Sequence, residues 1–399
     1  MPSQHHYFKK FNELDETDFK IISEMTRDCP EGPRNVRRIA AKLSLPQQTV
    51  NYRVLRLEQK NLVRFRATVN ESVLGLSNYV VMVTVKPGLL HENKEGTATN
   101  SGTFLTCFPV WRLLKEVHGG SSHGFFVQYS IPTEKEEDLR SFLGTLQEIG
   151  CIEKVNYFYS VTSRFSTKPS LELYKKIRKE VAQGRKVSFN WENWVDGFDY
   201  AKEAVLTEEV PPKRKYEFSY EHLLTLFHLE RNLREKFVSI AKSTGESSAK
   251  VRGWFKDVCK HNLIADCRVE LYPTDPQISA NLVLKLEFNK SSDLGRFISH
   301  LDQMPYPTTY QKVLQKNVVF VHTIIPSHEY FDFHNAFETL SRRHDVFSEF
   351  DQYVSTYYSR SDNIKLFETY SRKDKVWLFS FDVMRRFLKK KLDDTRFEF

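Results

Sequence analysis

At 399 residues, with 59 Lys+Arg against 51 Asp+Glu and a formal net charge of +8, the chain is long enough for two to four domains and mildly basic. Its longest unbroken apolar run, Tyr79-Val80-Val81-Met82-Val83, is far short of the roughly 20 residues that cross a bilayer, and the start from Met1 to Lys10 lacks the apolar core of a signal peptide. A cytoplasmic protein is expected, and five scattered cysteines without any C-x-x-C spacing suggest neither a disulfide framework nor a zinc knuckle.

In chain order, Asp15-Glu16-Thr17-Asp18 ahead of Phe19, Ile22 and Met25 predicts an amphipathic helix that opens on acids and stops by Cys29-Pro30. A second short helix fits Val36 to Leu43, followed by a tight turn through Ser44-Leu45-Pro46. A third runs from about Gln47 to Lys60, with Val50, Val54 and Leu57 as its buried stripe and Gln48, Tyr52, Arg56 and Gln59 opposite, flanked by Thr49 and Asn51. Leu62 to Val69 then alternates apolar and basic residues and is read as a two-stranded wing carrying Arg64 and Arg66 on its wet face. Charge supports this reading. Between Arg34 and Arg66 stand nine basic residues against one acid, a surplus equal to that of the whole chain.

Three helices, a short turn and a basic wing make a winged helix-turn-helix. In such a motif the second helix of the pair enters the major groove, where Gln or Asn can bond adenine and Arg guanine, while basic side chains hold phosphates. The expected DNA contacts of this first copy are Gln47, Gln48, Thr49, Asn51, Tyr52, Arg53, Arg56, Arg64 and Arg66.

Beyond it, Asn78 to Lys86, Trp111 to Val117 (a strand or a helix end), Phe125 to Ile131, a helix over Glu134 to Ile149 and a strand over Lys154 to Val161 spell βαββαβ. The Gly119-Gly120-Ser121-Ser122-His123 cluster is a turn whose successive N–H groups could hold an anion or carboxylate. His118 and His123, read as a pair in a Gly-rich turn with no carboxylate or cysteine beside them, predict no metal site.

A shift of 201 residues superposes Ile39 on Ile240, Ala40 on Ala241, Val50 on Val251, Asn61 on Asn262 and Leu62 on Leu263, and Val127 to Pro132 parallels Val321 to Pro326. The expected fold class is therefore α+β, two tandem copies of a winged helix-turn-helix domain followed by a ferredoxin-like domain. The expected boundaries are 1–75 and 76–164 for the first copy, a connector over 165–218, 219–275 and 276–362 for the second copy, and a basic C-terminal extension over 363–399. The second copy has its own basic island, nine basic residues against four acids between Arg231 and Arg268. Its reading helix keeps Val251, Phe255 and Val258 but turns Ala249, Gly253, Lys256, Asp257 and Lys260 outward, and Asp257 would repel a phosphate. Contacts from Ser247, Ser248, Lys250, Arg252 and Lys256 are expected mainly to grip the DNA backbone rather than read bases, the alternative being that this second copy binds a protein.

The runs Leu14-Asp15-Glu16-Thr17-Asp18, Ile39 to Val50 and Arg56 to Val63 resemble the N-terminal domain of the Lrp/AsnC transcription regulators. The resemblance implies double-stranded DNA as partner and a small-molecule effector, such as an amino acid, at the ferredoxin-like domains, here near Gly119, Gly120, Ser121, Ser122 and His123. It also implies pairing through those domains, which one duplicated chain can make within itself and repeat as a homodimer. No nucleophile–base constellation, P-loop or dinucleotide fingerprint appears, so no catalytic residue, enzymatic activity or cofactor is expected. Two other readings compete with a regulator: fused Lrp-like chains also resemble siroheme decarboxylases, and an architectural protein would bind DNA with little sequence preference.

Overall fold

The computed structural model describes residues 13–27, 30–85, 91–93, 98–99, 102–108, 110–119, 122–167, 175, 178–179, 183, 189–204, 216–271, 279–304, 306–355, 360–362, 365–378 and 381–397. The chain begins with helices α1 (Glu16–Arg27), α2 (Val36–Leu43) and α3 (Gln47–Gln59). Strands β1 (Val63–Val69), β2 (Leu76–Val85), β3 (Trp111–Gly119) and β4 (Ser122–Pro132) follow, then α4 (Glu136–Glu148), β5 (Lys154–Val161) and α5 (Trp191–Asp196). The second half opens with α6 (Tyr220–Arg231), α7 (Phe237–Thr244), α8 (Ser248–Lys260) and β6 (Ile264–Leu271). It continues with β7 (Ser279–Phe288), α9 (Ser291–Leu301), β8 (Thr308–Lys312), β9 (Val318–Pro326), α10 (Tyr330–His344) and β10 (Phe347–Ser355), and α11 (Phe381–Asp394) comes last. This is a mixed α/β chain with an N-terminal helix-turn-helix and antiparallel sheets.

Two compact units are assembled from interleaved stretches. The first takes residues 1–69, 164–208 and 228–352; the second takes 70–163, 209–227 and 353–399. In the first unit the strands stand in the order β10-β7-β9-β8, and in the second in the order β5-β2-β4-β3. Each is an antiparallel arrangement in which the first strand in sequence sits between the third and fourth. The first unit's strands carry a helix after the first strand and another after the third. In the second unit, the described residues between β2 and β3 hold only a short helical turn, Gly102–Leu105, and two short strands.

Both sheets are backed by segments that the sequence pattern leaves outside the domains. In the first unit, α5 from the expected connector packs on α10: the Trp191 ring meets Phe333 edge-on at 5.1 Å, and Trp194 lies 5.4 Å from Phe337. Glu329, fully buried, accepts hydrogen bonds from the Trp191 indole (3.0 Å) and the Phe189 amide (3.1 Å), so this helix is fixed by directional bonds as well as apolar burial. In the second unit, Met384 and Leu388 of α11 join a core that includes Val81, Phe104, Phe108, Val127, Phe142 and Leu146. The expected basic tail is thus partly a core element, with Arg385, Arg386, Lys389 and Lys390 on its exposed side.

The expected wing over Leu62 to Val69 does not form as a local hairpin. It is the single strand β1, and its partner is β6, with Arg66 opposite Arg268 and Ala67 opposite Cys267. Alternation gave the strand and its buried apolar face correctly; it carries no information about a partner two hundred residues away. Cys267 is disulfide-bonded, contrary to the expectation drawn from cysteine spacing, while Cys107, Cys151 and Cys259 are free.

Candidate nucleic-acid interface

Helix α1 begins with a reciprocal cap: the Asp15 amide donates to Asp18 Oδ2 (3.0 Å) and the Asp18 amide to Asp15 Oδ1 (2.8 Å). Helix α2 is capped by Asn35, whose side chain accepts from the Arg38 amide at 3.1 Å, and it ends at Ser44 in the left-handed region with φ 53°. Pro46, at the N-cap of α3, supplies no side-chain bond but sets the extended backbone that starts the helix. Val50, Val54 and Leu57 are fully buried, so the opposite face of α3 is turned outward by the helical period.

That outer face carries Gln47, Gln48, Asn51 and Tyr52, all exposed, with Thr49 half-buried at their edge. Tyr52 is 69% exposed, so its ring and hydroxyl stand in solvent on this face. The two arginines of this helix are engaged elsewhere. Arg53 Nη1 donates to Asp18 Oδ1 (2.9 Å) and Asp15 Oδ2 (2.5 Å), and Arg56 Nη2 donates to the other oxygen of Asp18, which is completely buried. Burial alone would raise the Asp15 carboxyl, but hydrogen bonds from Arg53 and the Asp18 backbone outweigh it and hold the group below its ordinary 3.8. Arg53 and Arg56 therefore fix α3 against α1 in the free protein. Arg66, expected on a wet wing, is 15% exposed and donates to the Glu230 carbonyl (2.7 Å) and to Glu270 (3.2 Å). Arg64 is exposed, 3.4 Å from Asn61 Oδ1.

Helices α7 and α8 repeat the arrangement with different surface chemistry. Gly245 closes α7 at φ 71°, Ser247 caps α8 by accepting from the Lys250 amide (3.3 Å), and Val251, Phe255 and Val258 are buried. Ser247, Lys250, Arg252, Gly253 and Lys256 are exposed, and Ser248 is half-buried. Lys250 pairs with Glu246 at 2.8 Å.

The two helical modules are joined through reciprocal contacts. Arg34 donates to the carbonyls of Leu233 (2.5 Å) and Glu235 (2.7 Å), and Arg234 donates to the carbonyl of Pro33 and to Glu58 (3.1 Å). Each arginine thus reaches the residue preceding the other, the signature of a local two-fold relation. Arg34 lies 4.0 Å above the Phe237 ring, and burial, with Arg234 close by, pushes its guanidinium down to about 10. Burial likewise raises the Glu58 carboxyl against the pull of Arg234. The insert Glu31 to Arg34, which looks in the sequence like a mere lengthening of the first turn, is the clamp.

Outside these helices the structure places the expected effector residues on the hairpin of β3 and β4. Gly119 and His123 lie in its strands, Ser122 opens β4, and Gly120 and Ser121 lie outside the described residues. Sequence reasoning misses Glu116, which sits beside His118 and His123; its position two residues before His118 in a strand was the available signal.

Residues 14–58 match the model of the AsnC-type helix-turn-helix domain. No curated protein matches the chain. Two structures of the siroheme decarboxylase NirDL, one with an iron-uroporphyrin III analogue, align with 95% and 94% of this chain and 99% of their own at 12% identity and a TM-score of 0.48. AsnC from E. coli aligns with 35% of this chain and 92% of its own at 12% identity and a TM-score of 0.26. The leucine response regulatory protein LrpA of Mycobacterium tuberculosis aligns with 36% of this chain and 91% of its own at 17% identity and a TM-score of 0.25. The expectation that the chain is not an enzyme is corrected: two structures aligned with nearly its whole length are those of a decarboxylase. Among the described residues, no helix is long and apolar enough to cross a membrane.

Proposed function

We propose that this chain is a double-stranded-DNA-binding transcription regulator of Lrp/AsnC type, built as two copies of a helix-turn-helix, each followed by one strand in place of a hairpin wing, and a ferredoxin-like domain. The observation that carries the reading is the outward row of Gln47, Gln48, Asn51 and Tyr52 on the second helix of an AsnC-type helix-turn-helix. Amide side chains there match the donor and acceptor pattern of adenine in the major groove, and the Tyr52 hydroxyl and ring suit a base edge or a thymine methyl. Arg64, Lys250, Arg252 and Lys256 are assigned to phosphates, with the hydroxyls of Ser247 and Ser248 beside them, while Arg53 and Arg56 hold the reading helix at its angle. Duplication is supported by the recurring strand order and by left-handed residues at matching places: Ser44 and Gly245, Asn61 and Asn262, Gly150 and Asp345.

The test is recovery of bound fragments from random-sequence DNA by the full chain at physiological salt, with and without Gln48→Ala, Asn51→Ala and Tyr52→Ala combined. A defined motif is expected, with affinity for it falling by at least about 100-fold in the triple variant, since each good base contact is worth about 1–3 kcal/mol. Recovery without a motif and with steep salt dependence would establish the architectural reading instead. A motif retained by the triple variant would remove α3 as the reader.

A further inference from the structure

Three donor side chains converge on one face of the β3–β4 hairpin. The register sets His118 opposite His123, and Glu116, two residues earlier on β3, shares the face by strand alternation. His123 Nε2 lies 2.7 Å from Glu116 Oε1, and His118 Nε2 lies 3.9 Å from the same oxygen. The two imidazoles stack with centroids 4.6 Å apart and planes 10° from parallel. One ligand atom from each of the three residues falls within 4.8 Å of the others. The backbone beneath is held hard in place: a Cβ on Gly124, the residue after His123, would stand 1.8 Å from the Val83 carbonyl oxygen, so only glycine lets β4 seat against β2 here.

We propose that Glu116, His118 and His123 form a binding site for a single divalent transition-metal ion, with Zn2+ as the best match. Two imidazole nitrogens and one carboxylate oxygen are a donor set that Zn2+ takes in three-ligand sites, leaving a fourth position for water. Softer ions prefer thiolates and Mg2+ or Ca2+ prefer all-oxygen cages, and neither is offered here. Around a tetrahedral ion bound at about 2.1 Å, donors stand about 3.4 Å apart. Closing from 4.8 Å calls on side-chain rotation, and the three side chains are 27%, 50% and 22% exposed in chain order, with room to turn. A site made of a local hairpin also needs no partner chain. The corresponding hairpin of the first unit, from Tyr310 to Val318, contains no His, Cys, Asp or Glu, so one ion per chain is the expected stoichiometry. This inference does not depend on the DNA-binding reading.

The experiment uses the full chain carrying His5→Ala and His6→Ala, which removes the adjacent histidines near the start of the sequence. Zn2+ is titrated against a chromophoric chelator, and Co2+ by visible absorption. We expect one Zn2+ per chain and the intense absorption of four-coordinate Co2+. Both should be lost with His118→Ala plus His123→Ala, and Glu116→Gln, which preserves shape and should fold normally, should weaken Zn2+ by more than about tenfold. Absence of uptake by the parent chain overturns the proposal, as does an unchanged stoichiometry and affinity in Glu116→Gln and the double-histidine variant. The DNA-binding experiment is scored separately on the same protein, so failure of one leaves the other intact.

Discussion

Helices α3 and α8 share a buried stripe and a capped turn but present opposite chemistry to solvent. The first offers amides and a phenol; the second offers lysines, an arginine and a bare glycine. Amides have directional donors and acceptors that a base edge can satisfy or fail to satisfy, whereas a lysine is a point charge that any phosphate satisfies. A duplicated scaffold can therefore divide two tasks that a single helix must combine. The anchoring differs as well: Arg53 and Arg56 tie α3 to the buried Asp18, while the positions 201 residues later are Trp254 and Asp257.

The largest expected effect follows from that anchor. Asp18→Ala leaves two partly buried guanidinium groups without their shared carboxylate and should destabilise the first unit by about 3 kcal/mol in denaturant titration. A loss below about 1 kcal/mol would mean the arginines are free enough to face DNA, and the contrast between the helices would narrow. Next comes Arg34→Ala, which removes two charge-assisted bonds and the Phe237 contact, for about 2 kcal/mol by the same measurement. Arg234→Ala should cost a comparable amount if the local two-fold relation is energetic as well as geometric. The smallest effect sharpens the comparison most: Lys250→Ala with Lys256→Ala should lower affinity evenly across DNA sequences and reduce the salt slope by about 1 per lysine. A change in sequence preference would show that α8 reads bases too.

Helical periodicity was sufficient for α2 and α3, whose bounds match the reading closely, and strand alternation placed β5 over the same residues as the structure. What escaped were relations set by distant partners. Arg66 looked exposed because its neighbours alternate, yet β6 and the Glu230 carbonyl cover it. The tail between Phe381 and Lys390 looked basic by count, although Met384 and Leu388 stand four apart on one helical face and could have been read as a packing stripe. Strand alternation puts Glu116 on the face of His118, but its nearness to His123 depends on register across the hairpin, which a Gly-rich turn does not specify.

The interleaving of the two units bears on how the protein is made. The first unit draws on residues up to 352, and the core of the second includes Met384 and Leu388. Neither can close while the ribosome is still translating the middle of the chain, so its apolar sheet faces must wait, uncovered, for strands and helices that arrive many seconds later. Synthesis rate and access to chaperones, rather than the stability of any one module, would then govern how much of this protein reaches its native state.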